Sequence, residues 1–435
     1  MKMKLLVLVM AGIMGAGQMA AAQTLEESVS QTLLSHPQIK EAFDLYQSRK
    51  YQIDEAKAGY YPKLDASAGV GPERIKSAGA SERTDMTRRD ASITLTQMLF
   101  DGFDTNSNVN RTDAEAKAQK LSLQATAENT ALRVTEVYLN MLRQQEIFEL
   151  SKDNLATHEQ ILSDITKRTT SGVGSSADLT QIQGRVARAY SNMAAAQNNL
   201  DDAKAEYIRV VNSEPTDLVA PTAEGITLPA TLDEALKKAT TNNPVILSSN
   251  EDIEAAKYQH EGAKANNYPK VNVEAGQTWY DDADGVKGNK DEASVMLRVR
   301  YNLYNGGADD ANIQATSALY SQAKDIHLNA FRQVEEGTRL AWNAKESLAK
   351  QKVFLKEHVD ASYDTVQAYK KQFGLGQRTL LDVLNTENEL FEARRSYITA
   401  EYDSLLADYR ILNATGGLLN ALNVQQPAEW QANNN

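Results

Sequence analysis

Two carboxylates, Asp178 and Asp382, stand 204 residues apart in a chain of 435, each three positions after a hydroxyl residue, Ser175 and Thr379. A hydroxyl followed three residues later by an acid is the pattern of a helix start. The hydroxyl accepts from an early backbone N–H, and the carboxylate sits at the positive helix end. The spacing suits a second task as well: carboxylates fixed at helix starts around a shared axis would form a ring that favours cations. A glycine turn precedes each aspartate, Ser171-Gly172-Val173-Gly174-Ser175 and Leu375-Gly376-Gln377-Arg378-Thr379. Gly172 and Gly376 read first as turn positions with positive φ, and Arg378 as an exposed charge worth ~0 to 1 kcal/mol in a pair.

No other constellation supports chemistry. Histidines 36, 158, 260, 327 and 358 form no HExxH or other ligand spacing, and there is neither a phosphate-binding loop nor a nucleophile elbow. The run Asp281-Asp282-Ala283-Asp284-Gly285 lacks the alternating ligands and terminal glutamate of a calcium loop and reads as a solvated loop. With no cysteine, disulfides and thiolate sites are excluded. A net charge of -12 without any Lys/Arg block argues against a nucleic-acid partner. The chain therefore reads as no enzyme, without cofactor or metal.

The elements that must position the aspartates are duplicated. Leu179, Ile182, Val186, Ala189, Met193, Ala196, Leu200, Ala203, Tyr207 and Val210 follow one another at alternating spacings of three and four, the seam of a left-handed supercoil. Val383, Thr386, Leu390, Ala393, Tyr397, Ala400, Ser404, Ala407, Ile411 and Ala414 repeat it, each the earlier position plus 204. Upstream, Tyr61-Pro62-Lys63 and Tyr268-Pro269-Lys270 pair at an offset of 207, and Leu99-Phe100-Asp101-Gly102 pairs with Leu303-Tyr304-Asn305-Gly306 at 204. A three-residue length change thus falls between the two strands of each half. Long helical patterns open at about 104 and 308, with seven-residue stripes such as Ala127, Val134, Met141, Phe148, Leu155 and Leu162. Some 66 residues make a rod of roughly 100 Å, which needs neighbours for support.

The expected organisation is a signal peptide at 1–22, marked by Lys2, Lys4 and an apolar run before Ala20-Ala21-Ala22. A first repeat at 23–211 has strands at about 62–71 and 90–100 and a coiled-coil hairpin at 104–211. After a connector at 212–230 carrying three prolines, a second repeat at 231–418 has strands at about 269–280 and 293–304 and a hairpin at 308–415. A C-terminal tail at 419–435 is expected to be poorly ordered beyond Pro427.

The strands alternate sharply. Val295, Leu297, Val299, Tyr301 and Leu303 fall on one face and Met296, Arg298, Arg300 and Asn302 on the other. A face that apolar needs lipid or a core, and the opposite face needs water. Ten residues tilted near 45° span roughly 23 to 25 Å, the height of an outer-membrane band. Four strands cannot close a barrel, so a spanning barrel would be shared: 8 strands in a dimer, 12 in a trimer, 16 in a tetramer. The rival reading is an ordinary four-stranded sheet on helices, in a structural periplasmic coiled-coil protein with no pore.

With the motifs Tyr-Pro-Lys, Leu-Phe-Asp-Gly and Gly-Gln-Arg-Thr-Leu-Leu-Asp-Val-Leu, and the duplicated order of elements over 24 to 418, the chain resembles the TolC-like outer-membrane channel-tunnel family of Gram-negative bacteria. The resemblance implies a mainly α protein with a small β part, assembled as a homotrimer whose 12-stranded barrel in outer-membrane lipid continues as a 12-helix periplasmic tunnel. Its implied partners are a periplasmic membrane-fusion adaptor and an inner-membrane ABC transporter or proton-driven pump. The implied periplasmic gate comprises an acidic ring at Asp382, a second ring position at Asn385 that has lost its charge, and a closing link between Arg378 and Asp178. A further gate position, often tyrosine in the family, is here Phe373. The adaptor would contact the hairpin tips at Gly172, Val173, Leu375 and Gly376. Many dedicated efflux members carry a lipidation cysteine; its absence here favours type I secretion of a protein substrate over small-molecule efflux.

Overall fold

The computed structural model describes residues 23–76, 78–79, 81–221 and 227–431. The segment expected to be a signal peptide lies outside them, as do the last four residues of the tail.

The first repeat opens with α1 (Leu25–Ser35) and α2 (Pro37–Lys57). Thr24 and Glu27 close a capping box on α1, and Pro37 begins α2 at the position where its missing N–H costs nothing. Strands β1 (Lys63–Ile75) and β2 (Thr84–Phe100) follow, then α3 (Asp104–Thr170) and α4 (Ser176–Val211). The second repeat has the same order: α5 (Leu232–Asn242), α6 (Pro244–Ala263), β3 (Lys270–Ala283), β4 (Val286–Arg300), α7 (Ala308–Gly374) and α8 (Leu380–Ala414). Short helices α9 (Leu418–Ala421) and α10 (Ala428–Gln431) end the described chain. The fold is mainly α with one small sheet, and no described helix is long and apolar enough to cross a membrane.

The sheet is a single antiparallel meander, β1-β2-β3-β4. Its register stacks Leu64, Leu95, Ala275 and Val295 in one row, and Ala66, Ile93, Gln277 and Ala293 in the next. Because successive side chains alternate faces, these rows share a face, and Asp65, Thr94, Gly276 and Ser294 lie on the other. All four strands differ from the expected spans. β1, β2 and β3 run further at the hairpin ends, where cross-strand ion pairs such as Arg74 with Asp85, and Arg89 with Asp281 at 2.8 Å, continue the ladder after the apolar alternation stops. β4 starts at Val286 and stops at Arg300, since Lys270, the first residue of β3, pairs with Arg300 and leaves 301–304 without a partner strand.

Phe103 begins α3 with φ of 70°, a conformation that disfavours side chains. Edge-on contacts with Phe100 at 5.3 Å and Tyr268 at 6.1 Å hold it there. Gly102 beside it cannot take a Cβ, which would meet the Ala265 carbonyl oxygen at 2.3 Å.

The main core lies midway along the helices. Leu25 and Val29 of α1, Ala127, Val134 and Tyr138 of α3, and Tyr207 of α4 are buried together. The Tyr138 hydroxyl meets the carbonyls of Gln23 and Val219 at 2.8 and 2.7 Å, tying the start of the described chain to the residues after α4. The tail departs from expectation: Trp430 is buried in this core, because an indole recovers more from burial than the short tail loses by ordering. Glu128, buried on α3, accepts from the Leu418 and Leu419 amides at 3.1 and 3.4 Å and so anchors α9.

Candidate functional site: the helix-hairpin mouth

Both hairpins turn on glycine. Gly172 and Gly376 have φ of 77° and 76°, and the chain closes through Gly172 N–H to Thr169 O and Gly376 N–H to Phe373 O. These bonds recover carbonyls that a helix end leaves orphaned. Val173 and Leu375 are 82% and 75% exposed, apolar side chains with nothing over them in the single chain.

The two aspartates differ although their sequence context matches. Thr379 and Asp382 form the full reciprocal cap on α8: the Asp382 amide donates to the Thr379 hydroxyl, and the Thr379 amide donates to the carboxylate at 3.1 Å. The Thr379 backbone N–H first, then its hydroxyl and the nearby Arg378 charge, hold the Asp382 carboxyl below the usual carboxylate range. On α4, Ser175 caps only the Ala177 amide, at 3.1 Å. Asp178 makes no hydrogen bond or ion pair among the described residues. The expected box at Ser175 is therefore half formed, since the serine took the N2 amide and left the reciprocal position open.

Arg378 does not reach Asp178 in its own chain. Its Nε donates to Gln372 Oε1 at 3.0 Å and its guanidinium lies 4.2 Å from the Tyr369 ring centre. Phe373 joins an apolar cluster of Ile165, Ile182, Leu380 and Leu384 and receives the Arg168 guanidinium on its face at 5.1 Å. Asn385 is exposed and accepts from Arg185 Nη2 at 2.7 Å, a link from α4 to α8. Lys370 pairs with the nearly buried Glu387, binding α7 to α8. Sequence reasoning had not singled out Arg185, Arg168, Lys370, Glu387 or Tyr369. One signal was present for Arg185: its repeat equivalent, 185 plus 204, is Glu389, an inverted charge on an otherwise matched heptad.

The acidic run ends β3 and makes the β3–β4 turn. Asp281 and Asp284 face Arg89 and Arg88, and Asp282 accepts from the Gly288 amide at 2.9 Å, so arginines and a backbone amide occupy its carboxylates.

Duplicated hairpins about 100 Å long, joined to a sheet that is apolar on one face, are the architecture of outer-membrane channel proteins. Residues 28–212 and 235–417 match the model of the outer membrane efflux protein family, and the chain belongs to that family. It is 26% identical over 409 residues to the outer membrane efflux protein BepC of Brucella suis, covering 94% of this chain and 88% of that protein. It is 21% identical to the outer membrane protein TolC of Escherichia coli, over 96% and 87%, and 24% identical to the alkaline protease secretion protein AprF of Pseudomonas aeruginosa, over 87% and 81%. The CusC crystal structure superposes with a TM-score of 0.80 at 16% identity, covering 90% of this chain and 92% of that one. The protein is a Gram-negative outer-membrane efflux channel component, not an enzyme.

Proposed function

We propose that three copies of the chain close a 12-stranded barrel in the outer membrane, continued by a 12-helix tunnel, as the exit duct of a tripartite export system. The observation behind this reading is the open sheet. Both β1 and β4 have a free hydrogen-bonding edge, β4 is exposed along its whole length, and Val295, Leu297 and Val299 present an apolar band. Free strand edges in hydrocarbon would leave backbone groups unpaired at several kcal/mol each, so a neighbour's strand must cover them.

At the opposite end, Asp382, Arg378, Asp178, Phe373 and Asn385 form the gate, with Arg378 of one copy meeting Asp178 of the next. Gly172, Val173, Leu375 and Gly376 form tips that receive a membrane-fusion adaptor. A groove of about 620 Å³ between α3 and the α7–α8 turn, lined by Ile161, Ile165, Arg168, Phe373, Leu380 and Val383, extends that docking surface.

The cargo is a protein delivered by an inner-membrane ABC transporter, a reading favoured by the similarity to AprF. Efflux of small molecules by a proton-driven pump is the second reading, favoured by the similarity to BepC. The assembly is tested by the mass of the detergent-extracted protein and by its conductance in a planar bilayer; a monomer without conductance would overturn it. The cargo is tested by deleting the gene. Loss of a secreted protein with unchanged drug susceptibility supports secretion, and the reverse supports efflux.

A further inference from the structure

The duplication relates α4 and α8 position by position, and four charged positions are inverted between them: Arg185 and Glu389, Arg188 and Glu392, Lys204 and Asp408, Glu206 and Arg410. The apolar seam is kept while these charges reverse. Within one chain, Arg185 of α4 donates to Asn385 of α8 at 2.7 Å. Position 185 of the first repeat thus reaches position 385 of the second.

In a closed ring of alternating repeats, each second-repeat hairpin has a first-repeat hairpin on both sides, one in its own chain and one in the next. A contact from α4 to α8 inside the chain then has a counterpart from α8 to the neighbour's α4. Adding 204 to 185 gives 389, and subtracting 204 from 385 gives 181, so the counterpart joins Glu389 to Gln181 of the partner subunit. The chemistry of both ends fits. A side-chain amide accepts from a guanidinium through its oxygen and donates to a carboxylate through its nitrogen, so an amide at 181 and at 385 satisfies either charge. In the isolated chain both groups are free to be used. The Glu389 side chain is 63% exposed, with only His358 Nε2 at 3.5 Å, and Gln181 has no hydrogen bond among the described residues.

We infer that Glu389 accepts a hydrogen bond from Gln181 of the partner subunit, so that links within chains and links between chains alternate around the mouth. This rests on the ring assembly proposed above. The inverted charges also fix the order of neighbours. An α8 carrying Glu389 and Glu392 meets an α4 carrying Arg185 and Arg188, whereas two like repeats side by side would set arginine against arginine and glutamate against glutamate.

The chain has no cysteine, so the full-length double variant Gln181→Cys with Glu389→Cys can be treated, as the detergent-extracted oligomer, with a short bifunctional thiol reagent. Linked dimers and trimers are expected on a denaturing gel, in large excess over either single variant, while Arg185→Cys with Asn385→Cys yields only linked monomer. An assembled trimer whose 181–389 pair links no better than the single variants overturns the inference and leaves the assembly standing. Wild-type protein that is monomeric in detergent overturns both. Charge exchange gives a second measurement: Glu389→Lys is expected to lower the assembled fraction and Gln181→Glu in the same chain to restore it, and no restoration overturns the link.

Discussion

Arg378 lies against Tyr369, its guanidinium 4.2 Å from the ring centre and its Nε on Gln372, so α7 of its own chain aims the side chain. Holding it this way removes part of the rotamer entropy that an exposed ion pair otherwise costs. With Asp178 unpaired in the single chain, a link between neighbouring copies at ~0.5 kcal/mol each gives ~1.5 kcal/mol over three subunits. Arg378→Ser or Asp178→Asn should therefore raise the open fraction roughly tenfold, read as channel open probability in a planar bilayer. Unchanged opening in both variants would remove these residues from the gate.

Ion preference should respond to two residues in opposite directions. Asp382 is charged down to acid pH because its cap holds the carboxylate form, and Arg185 is fixed to Asn385, three residues further along α8 and hence on the adjacent turn. Asp382→Asn should weaken cation preference and divalent block, and Arg185→Gln should strengthen both. Reversal potentials under a salt gradient separate the two; shifts of the same sign would show that the side chains do not share the mouth.

The sheet faces make a paired prediction. Val295 shares a row with Leu64, Leu95 and Ala275, and its neighbour Ser294 shares one with Asp65, Thr94 and Gly276. Arginine on the lipid face at mid-band costs ~2 to 4 kcal/mol and on the water face far less. Val295→Arg should thus deplete assembled protein in the outer membrane, while Ser294→Arg should leave the amount unchanged, as measured by immunoblot of membrane fractions.

Repetition makes the fold readable in the sequence. The heptad from Leu179 to Val210, recurring at plus 204, places α4 and α8 to within three residues, because a supercoil seam constrains every turn of helix. Strand ends were less legible. Arg74 and Asp85 extend β1 and β2 by pairing across the ladder, and a partner 11 residues away on the far side of the hairpin loop leaves no local trace. The place of Trp430 is hidden for a related reason: its tail is polar, and only the core formed by α1, α3 and α8 gives the indole a place to go. At the mouth both hydroxyls are legible as caps, and only the second closes the full box with its aspartate, since a serine can take either of two amides and Ser175 takes that of Ala177. Arg185 is invisible in isolation, a lone arginine on a polar face. It gains meaning only when the two repeats are laid over each other.

Glu128 offers a test of the core away from the membrane and the gate. The amides of Leu418 and Leu419 favour its charged form, but burial outweighs them and pushes its carboxyl up to about 7. An unfolded glutamate titrates near ~4.3, so between these values the folded chain binds the proton more tightly. The stability this group contributes is present in full below the unfolded value, falls as pH rises to about 7 and is level above. The span corresponds to roughly 4 kcal/mol. Glu128→Gln keeps an oxygen for the two amides and removes the titration. Thermal unfolding at pH 5 and pH 8 should show the wild type losing more stability than the variant between the two, with the variant gaining on it at the higher pH. Parallel shifts in both proteins would mean that this carboxyl is hydrated, and that α9 is not anchored on α3 in the way the structure places it.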